Sequence, residues 1–296
     1  MTEPARPSSV LPTPPPDAGP LALRTLGALA LTGDVDAERA AAVADLNARP
    51  RAMAVLLRLA MADGPVSREL LTEELWGDRD PERARHSLAD ALSAIRRAFG
   101  RDSVSQRSPQ LAFRPEARLV VDAVEFQRAV GAGRDADALA LYRGDFLEGV
   151  FIDRAPRFDQ WAMQRRFALR EQFVGLAARE CRRLAAAGAH EAVAVLALRW
   201  QAAAPDDPAP TRAWLDALAA PGTASALRRA LDAWGEHVRA LAREDETPDD
   251  ALVDFVGTLQ ARYDAMPPVS APAQPPLPPR RTPPPATGTG MAAAPG

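Results

Sequence analysis

Cysteine is nearly absent from this chain: Cys181 stands alone among 296 residues. A lone thiol excludes an internal disulfide framework and suits a reducing cytoplasm, with Cys181 read as a packing residue. Lysine is missing altogether, so all 36 basic residues are arginine, a bias of composition more than of function. Histidine occurs only at His86, His190 and His237, far apart, in no Cys/His metal spacing and in no HExxH run. There is no P-loop, and "TGTG" near the end precedes no helical pattern. Asp206–Asp207 and Asp249–Asp250 read as helix caps rather than catalytic pairs. The longest apolar run, "AVAVLAL", is too short to span a bilayer. The N-terminus is polar and proline-rich, unlike a secretory signal. These absences lead us to expect a cytoplasmic protein that is not an enzyme and needs neither metal nor cofactor.

Proline is plentiful but uneven. Of 29, seven fall in residues 1–20 and eleven in 267–296. Both ends are therefore expected to be disordered tails, unable to bury enough apolar surface to fold. Charge is uneven too. The net formal charge is −3, yet residues 83–118 hold eight arginines against three acids, while 122–266 hold eighteen against twenty-three. Basic charge is thus concentrated on one segment, which matters because phosphate contacts are local.

Between the tails, "LALRTLGALALTG" reads as two short strands with a turn at Gly27. "DVDAERAAAVADLNARP" reads as a loop or short helix. A helix follows in "RAMAVLLRLAMADG", with Met53, Leu56, Leu57 and Ala60 on one face. "VSRELLTEELWGD" gives a helix capped by Ser67, with Leu70, Leu71 and Leu75 on one side and Gly77 at its end. Beyond Gly100, "QLAF" and "RLVV", joined by "RPEA", predict a β-hairpin with Pro115 in its turn. From Val124 to Tyr263 the pattern is helical, with short loops carrying Gly, Pro or Asp. The pieces suggest an array of helical hairpins.

The central stretch is "DPERARHSLADALSAIRRAFG", Asp80–Gly100. Asp80 is an N-cap and Pro81 suits the first helical position. Ala84, Leu88, Ala91, Leu92, Ile95 and Phe99 form one apolar stripe. Opposite lie Arg83, His86, Asp90, Ser93 and Arg97, with Arg85 and Arg96 on the flank. A short helix, a tight turn, this longer helix and a hairpin together make a winged helix-turn-helix. In that arrangement Arg83, His86, Ser93 and Arg97 read or position DNA, and Arg101, Arg107, Arg114 and Arg118 hold phosphates. The alternative is a solvated helix face, and Asp90 favours it, because a carboxylate there repels phosphate.

"GPVSRELLTEELWGDRDPERARHSLADALSAIRRAFG", followed by "ALALYRGDFLEGVF", resembles the bacterial transcriptional activator domain proteins. "LYRGDFLEG", Leu141–Gly149, is the more specific element, and the likeness covers about residues 21–264. The resemblance implies a mainly α fold: an OmpR-like winged helix-turn-helix of α+β make-up, then an all-α, tetratricopeptide-like domain. We place the first at 21–121 and the second at 122–266, flanked by the tails at 1–20 and 267–296. It further implies a recognition helix at 81–99, bringing Arg83, Arg85, His86, Arg96 and Arg97 towards double-stranded DNA. The helical domain would then serve homodimerisation or contact with RNA polymerase or another protein. A second reading is an adaptor that keeps the winged fold but works only through protein contacts.

Overall fold

The computed structural model of the chain describes residues 20–266 apart from Ser108. Residues 1–19 and 267–296, which hold nearly all of the two proline-rich tails, lie outside the described residues.

Strands β1 (Leu21–Arg24) and β2 (Ala30–Thr32) pair antiparallel around a turn where Gly27 has φ 101°, a backbone conformation that glycine tolerates and other residues resist. The stretch expected as loop or short helix forms a full helix, α1 (Ala37–Asn47), because the Asp36 carboxylate caps it and Val43 and Leu46 face the core. Helix α2 (Pro50–Ala60) follows. Its expected apolar face is present, but Ala54, Val55 and Leu59 are buried as well. The helix is enclosed because it packs against α1 and two later helices, α3 and α4. A short strand, β3 (Val66–Ser67), leads into α3 (Arg68–Trp76), where the Ser67 hydroxyl accepts from the Glu69 and Leu70 amides. Leu71 and Leu75 are buried, but Leu70, expected beside them, is exposed. Helix α4 (Pro81–Phe99) comes next, and the two strands after it, β4 (Val104–Arg107) and β5 (Gln110–Phe113), form a hairpin.

That hairpin corrects the expected one. "QLAF" pairs with the preceding "VSQR", and "RLVV" crosses the molecule as β6 (Leu119–Val121) to pair in parallel with β1. The reason is local. "RPEA" folds into a single 3-10 turn at Pro115–Ala117, and Arg118 at φ 49° redirects the chain. Val121 is then buried among the β1 side chains it meets in the core. The strands form two three-stranded sheets, ordered β2–β1–β6 and β3–β5–β4.

The remainder is helical: α5 (Asp122–Gly131), α6 (Asp135–Leu141), α7 (Pro156–Ala186), α8 (His190–Ala203), α9 (Pro208–Ala219), α10 (Ala224–Arg243) and α11 (Asp250–Asp264). Sequence neighbours pack on one another from α7 to α11, and Asp207 and Asp249 cap α9 and α11 as expected. One apolar core runs from Leu21 to Ala217; a smaller one joins Leu215 to Leu227, Val256 and Leu259. Cys181 is buried, which pushes its thiol up to about 11, in keeping with a packing role.

Two polar devices tie the sheet to the helices. Asp122, only 6% exposed, accepts from the Thr25 amide at 2.8 Å, the Thr25 hydroxyl at 2.6 Å, the Leu26 amide at 3.2 Å and the Ala123 amide at 2.8 Å. The second is "LYRGDFLEG". Its backbone meets the β1–β2 turn through Gly27 N–H to the Asp145 carbonyl, 2.9 Å, and Leu147 N–H to the Thr25 carbonyl, 2.8 Å. Arg166 donates to the Phe146 and Leu147 carbonyls, and Arg170 grips the Asp145 carboxylate with two hydrogen bonds. Burial pushes the Asp145 carboxyl up, but the bonds from Arg170 and Tyr142 outweigh it and leave it below the usual carboxylate range. A side chain on Gly144 would come within 3.3 Å of the Gly27 backbone, so the sequence "RGD" needs its glycine for this approach. The motif is therefore a strap.

Asp122→Ala would leave the buried Thr25 and Leu26 amides without acceptors. A loss of about 2–4 kcal/mol in unfolding free energy, read from urea denaturation, is expected. A change below about 1 kcal/mol would show that the join does not depend on it.

Candidate nucleic-acid interface

Helix α4 is roughly 28 Å long at 1.5 Å per residue. The Asp80 carboxylate accepts from the Glu82 and Arg83 amides, and Pro81 occupies the first turn. All six stripe residues, Ala84 to Phe99, are buried. Near the far end Arg39, itself buried, donates to the Ala98 carbonyl at 2.8 Å and places a cation by the helix C-terminus. The apolar stripe thus turns the other face outward.

On that face Arg83, Arg85, His86, Asp90, Ser93 and Arg97 are all exposed. Among the described residues the side chains of Arg83 and Arg85 have no ion-pair partner. His86 lies 3.6 Å from Asp90, so the acid faces an imidazole on its own helix rather than Arg83 or Arg97. Arg97 is already engaged: its Nη2 meets Asp45 on α1 at 2.8 Å, and Arg49 shares the same carboxylate. Its charge is partly offset, which weakens its expected reading role.

Arg96 is half-buried. Burial lowers its pKa first, and the guanidinium groups of Arg68 and Arg101 lower it further. Three arginines therefore converge where α3 begins and α4 ends. The sequence reading missed Arg68. Its signal was slight, the residue after a helix cap, because only the fold brings it to Arg96 and Arg101.

The hairpin β4–β5 stands beside this cluster, and the Arg68 amide donates to the Pro109 carbonyl in the hairpin turn at 3.0 Å. Arg107 is on β4 next to that turn, but its side chain lies outside what the structure describes. Arg114 and Arg118 were expected on the hairpin. They sit instead on the connector at its base, because the paired strands end at Phe113. Arg114 is held there by its amide, which donates to the Ser103 carbonyl at 2.8 Å, while the Arg118 carbonyl accepts from the Leu21 amide at 3.0 Å.

Helix α7 packs against α3. Arg58 forms a two-pronged pair with Glu74 at 2.7 and 2.8 Å and stacks 4.5 Å over the Trp161 ring. Arg157 meets Glu73 at 2.8 Å. Among the described residues no group of three or more His, Cys, Asp or Glu side chains could hold a metal ion, and no helix is long and apolar enough to cross a membrane.

Helices α3 and α4 with the β4–β5 hairpin define a winged helix-turn-helix, joined to an all-α array of helical hairpins. The same fold occurs in Mycobacterium tuberculosis EmbR, solved in complex with a low affinity phosphopeptide. The likeness has a TM-score of 0.51 at 20% identity and covers 82% of this chain. This chain spans 65% of the EmbR chain, less than two thirds of its length. No family model matches the chain, and no curated protein does.

The Arg68 and Arg101 guanidinium groups act on Arg96 as like charges. Arg101→Gln should leave the melting temperature unchanged or raise it slightly, by relieving like-charge repulsion. A clear fall in a calorimetric scan would make Arg101 a structural residue.

Proposed function

We propose that this chain is a DNA-binding transcriptional regulator of the bacterial transcriptional activator domain type. In this reading residues 21–121 are the DNA-binding unit and residues 122–266 the partner-binding unit. The observation that carries it is the arginine face. Arg83 and Arg85 are exposed on α4 with no ion-pair partner among the described residues, and Arg68, Arg96 and Arg101 come together beside the wing. Such a concentration of guanidinium groups suits phosphate. The sequence resemblance and the fold shared with EmbR support the same class.

Helix α4 enters the major groove, Arg83, Arg85, His86 and Ser93 face base edges, and Arg68, Arg96 and Arg101 hold the backbone. Arg107 acts from the wing, while Arg114 and Arg118 are placed for backbone contact near its base. The helical unit serves homodimerisation or contact with RNA polymerase or another protein; the phosphopeptide seen with EmbR supports a protein partner beside DNA. The reading assigns a cytoplasmic place and no catalytic role or cofactor.

Asp90, with a side chain 63% exposed in the middle of this face, favours a second reading. There the winged fold is kept but has been retired from DNA, and the protein works as an adaptor.

A mobility-shift titration on random-sequence duplex DNA across a salt series separates the two. Binding should weaken steeply with salt, and Arg68→Ala or Arg101→Ala should each reduce the salt slope by about 1. Arg85→Ala should cost about 1–3 kcal/mol on a selected site if it reads a base. Binding that is absent in the natural chain and appears in Asp90→Gln supports the adaptor instead.

A further inference from the structure

Away from the α4 face, the helical array holds a cleft of about 620 Å³ between α7, α8, α9 and α11. That volume is in the range of small-molecule sites, about 300–1,000 Å³. Its floor is apolar, built from the buried Cys181, Val193, Trp200 and Ala217. Its rim is basic, with Arg182 from α7, Arg212 from α9 and Arg262 from α11 against one acid, Asp216. Among the described residues neither Arg182 nor Arg262 has an ion pair or hydrogen bond. Arg212 lies 4.8 Å over the Phe255 ring. The indole Nε1 of Trp200 is buried and has no hydrogen-bond partner, an arrangement that carries a cost unless an acceptor arrives.

A neighbouring cavity of about 760 Å³ shows the contrast. Glu180 and Glu191 line it, and its one arginine, Arg199, already donates to the Leu139 and Tyr142 carbonyls. The first cleft alone of these two combines an apolar floor, surplus positive charge and an unsatisfied donor.

We propose that this cleft binds a small organic anion with an apolar body. The anionic head lies between Arg182 and Arg262, where a guanidinium fork matches a planar carboxylate. The apolar body covers Val193 and Ala217, and an acceptor on it takes the Trp200 N–H. Because Arg262 belongs to the last helix, an occupant bridges α11 to the main core. The site is separate from the DNA face and does not depend on it.

The probe is 8-anilinonaphthalene-1-sulfonate, with the uncharged N-phenyl-1-naphthylamine as its control, titrated into the full chain by fluorescence. The expected result is saturable binding of one sulfonate per chain, with the uncharged compound weaker by about tenfold. The double variant Arg182→Gln/Arg262→Gln should weaken the sulfonate about tenfold and leave the uncharged compound unchanged. Trp200→Phe, which keeps the aromatic bulk, should also weaken the sulfonate. Non-saturating binding, equal affinity for both compounds, or a double variant indistinguishable from the natural chain would overturn the proposal.

Discussion

The rest of the architecture depends on Asp122. One buried carboxylate takes the Thr25 amide and hydroxyl and the Leu26 amide from the end of β1, and it also takes the Ala123 amide at the start of α5. Sheet and helical array are therefore joined at this residue, immediately after the strand that runs parallel to β1. The "LYRGDFLEG" strap closes on the same turn from the other side, with Gly27 at positive φ and Gly144 small enough for the backbones to approach. Once these contacts form, α7 is delivered against α3, where the Arg58–Glu74 pair and the Trp161 ring hold it. Arg83, Arg85, His86 and Ser93 on the outer face of α4 stay exposed.

A chain with no lysine must build its structural ion pairs and cationic hydrogen bonds from arginine. The planar fork suits structure well, since it can satisfy two carbonyls or one carboxylate at once. Arg39, Arg51, Arg166 and Arg199 donate to backbone carbonyls, and Arg58 and Arg170 grip carboxylates. Set against these, the arginines of α4 and its surroundings divide. Arg97 is drawn into the scaffold by Asp45, whereas Arg83 and Arg85 keep their charge in solvent. The local excess of basic charge seen in the sequence is present in the fold, with Arg97 partly offset by Asp45 and Arg68 brought in beside Arg96.

Much of the winged helix was legible because its signals are local. Ser67, Asp80 and Pro81 mark helix starts through bonds spanning two or three residues, and the α4 stripe follows from helical period alone. What failed depended on distant partners. "VSQR" has one apolar residue, so nothing near it marked a strand, while "RLVV" looked like the hairpin partner but pairs with β1 about a hundred residues earlier. Leu70 looked like core by spacing, yet no element covers its side of α3. The engagement of Arg97 by Asp45 and the meeting of Arg68 with Arg96 and Arg101 are likewise products of packing. The strap motif was recognised as specific before its reason could be given, and that reason is a backbone contact with the β1–β2 turn.

In the proposed function the outer face of α4, with the start of α3 and the wing, is the surface that meets DNA. Hydrogen–deuterium exchange of the full chain, with and without saturating duplex DNA at low salt, tests it most directly. Slowed exchange is expected in residues 81–101 and 104–113, with no change across α8 to α11. Protection confined to the helical array, or none anywhere, would contradict it.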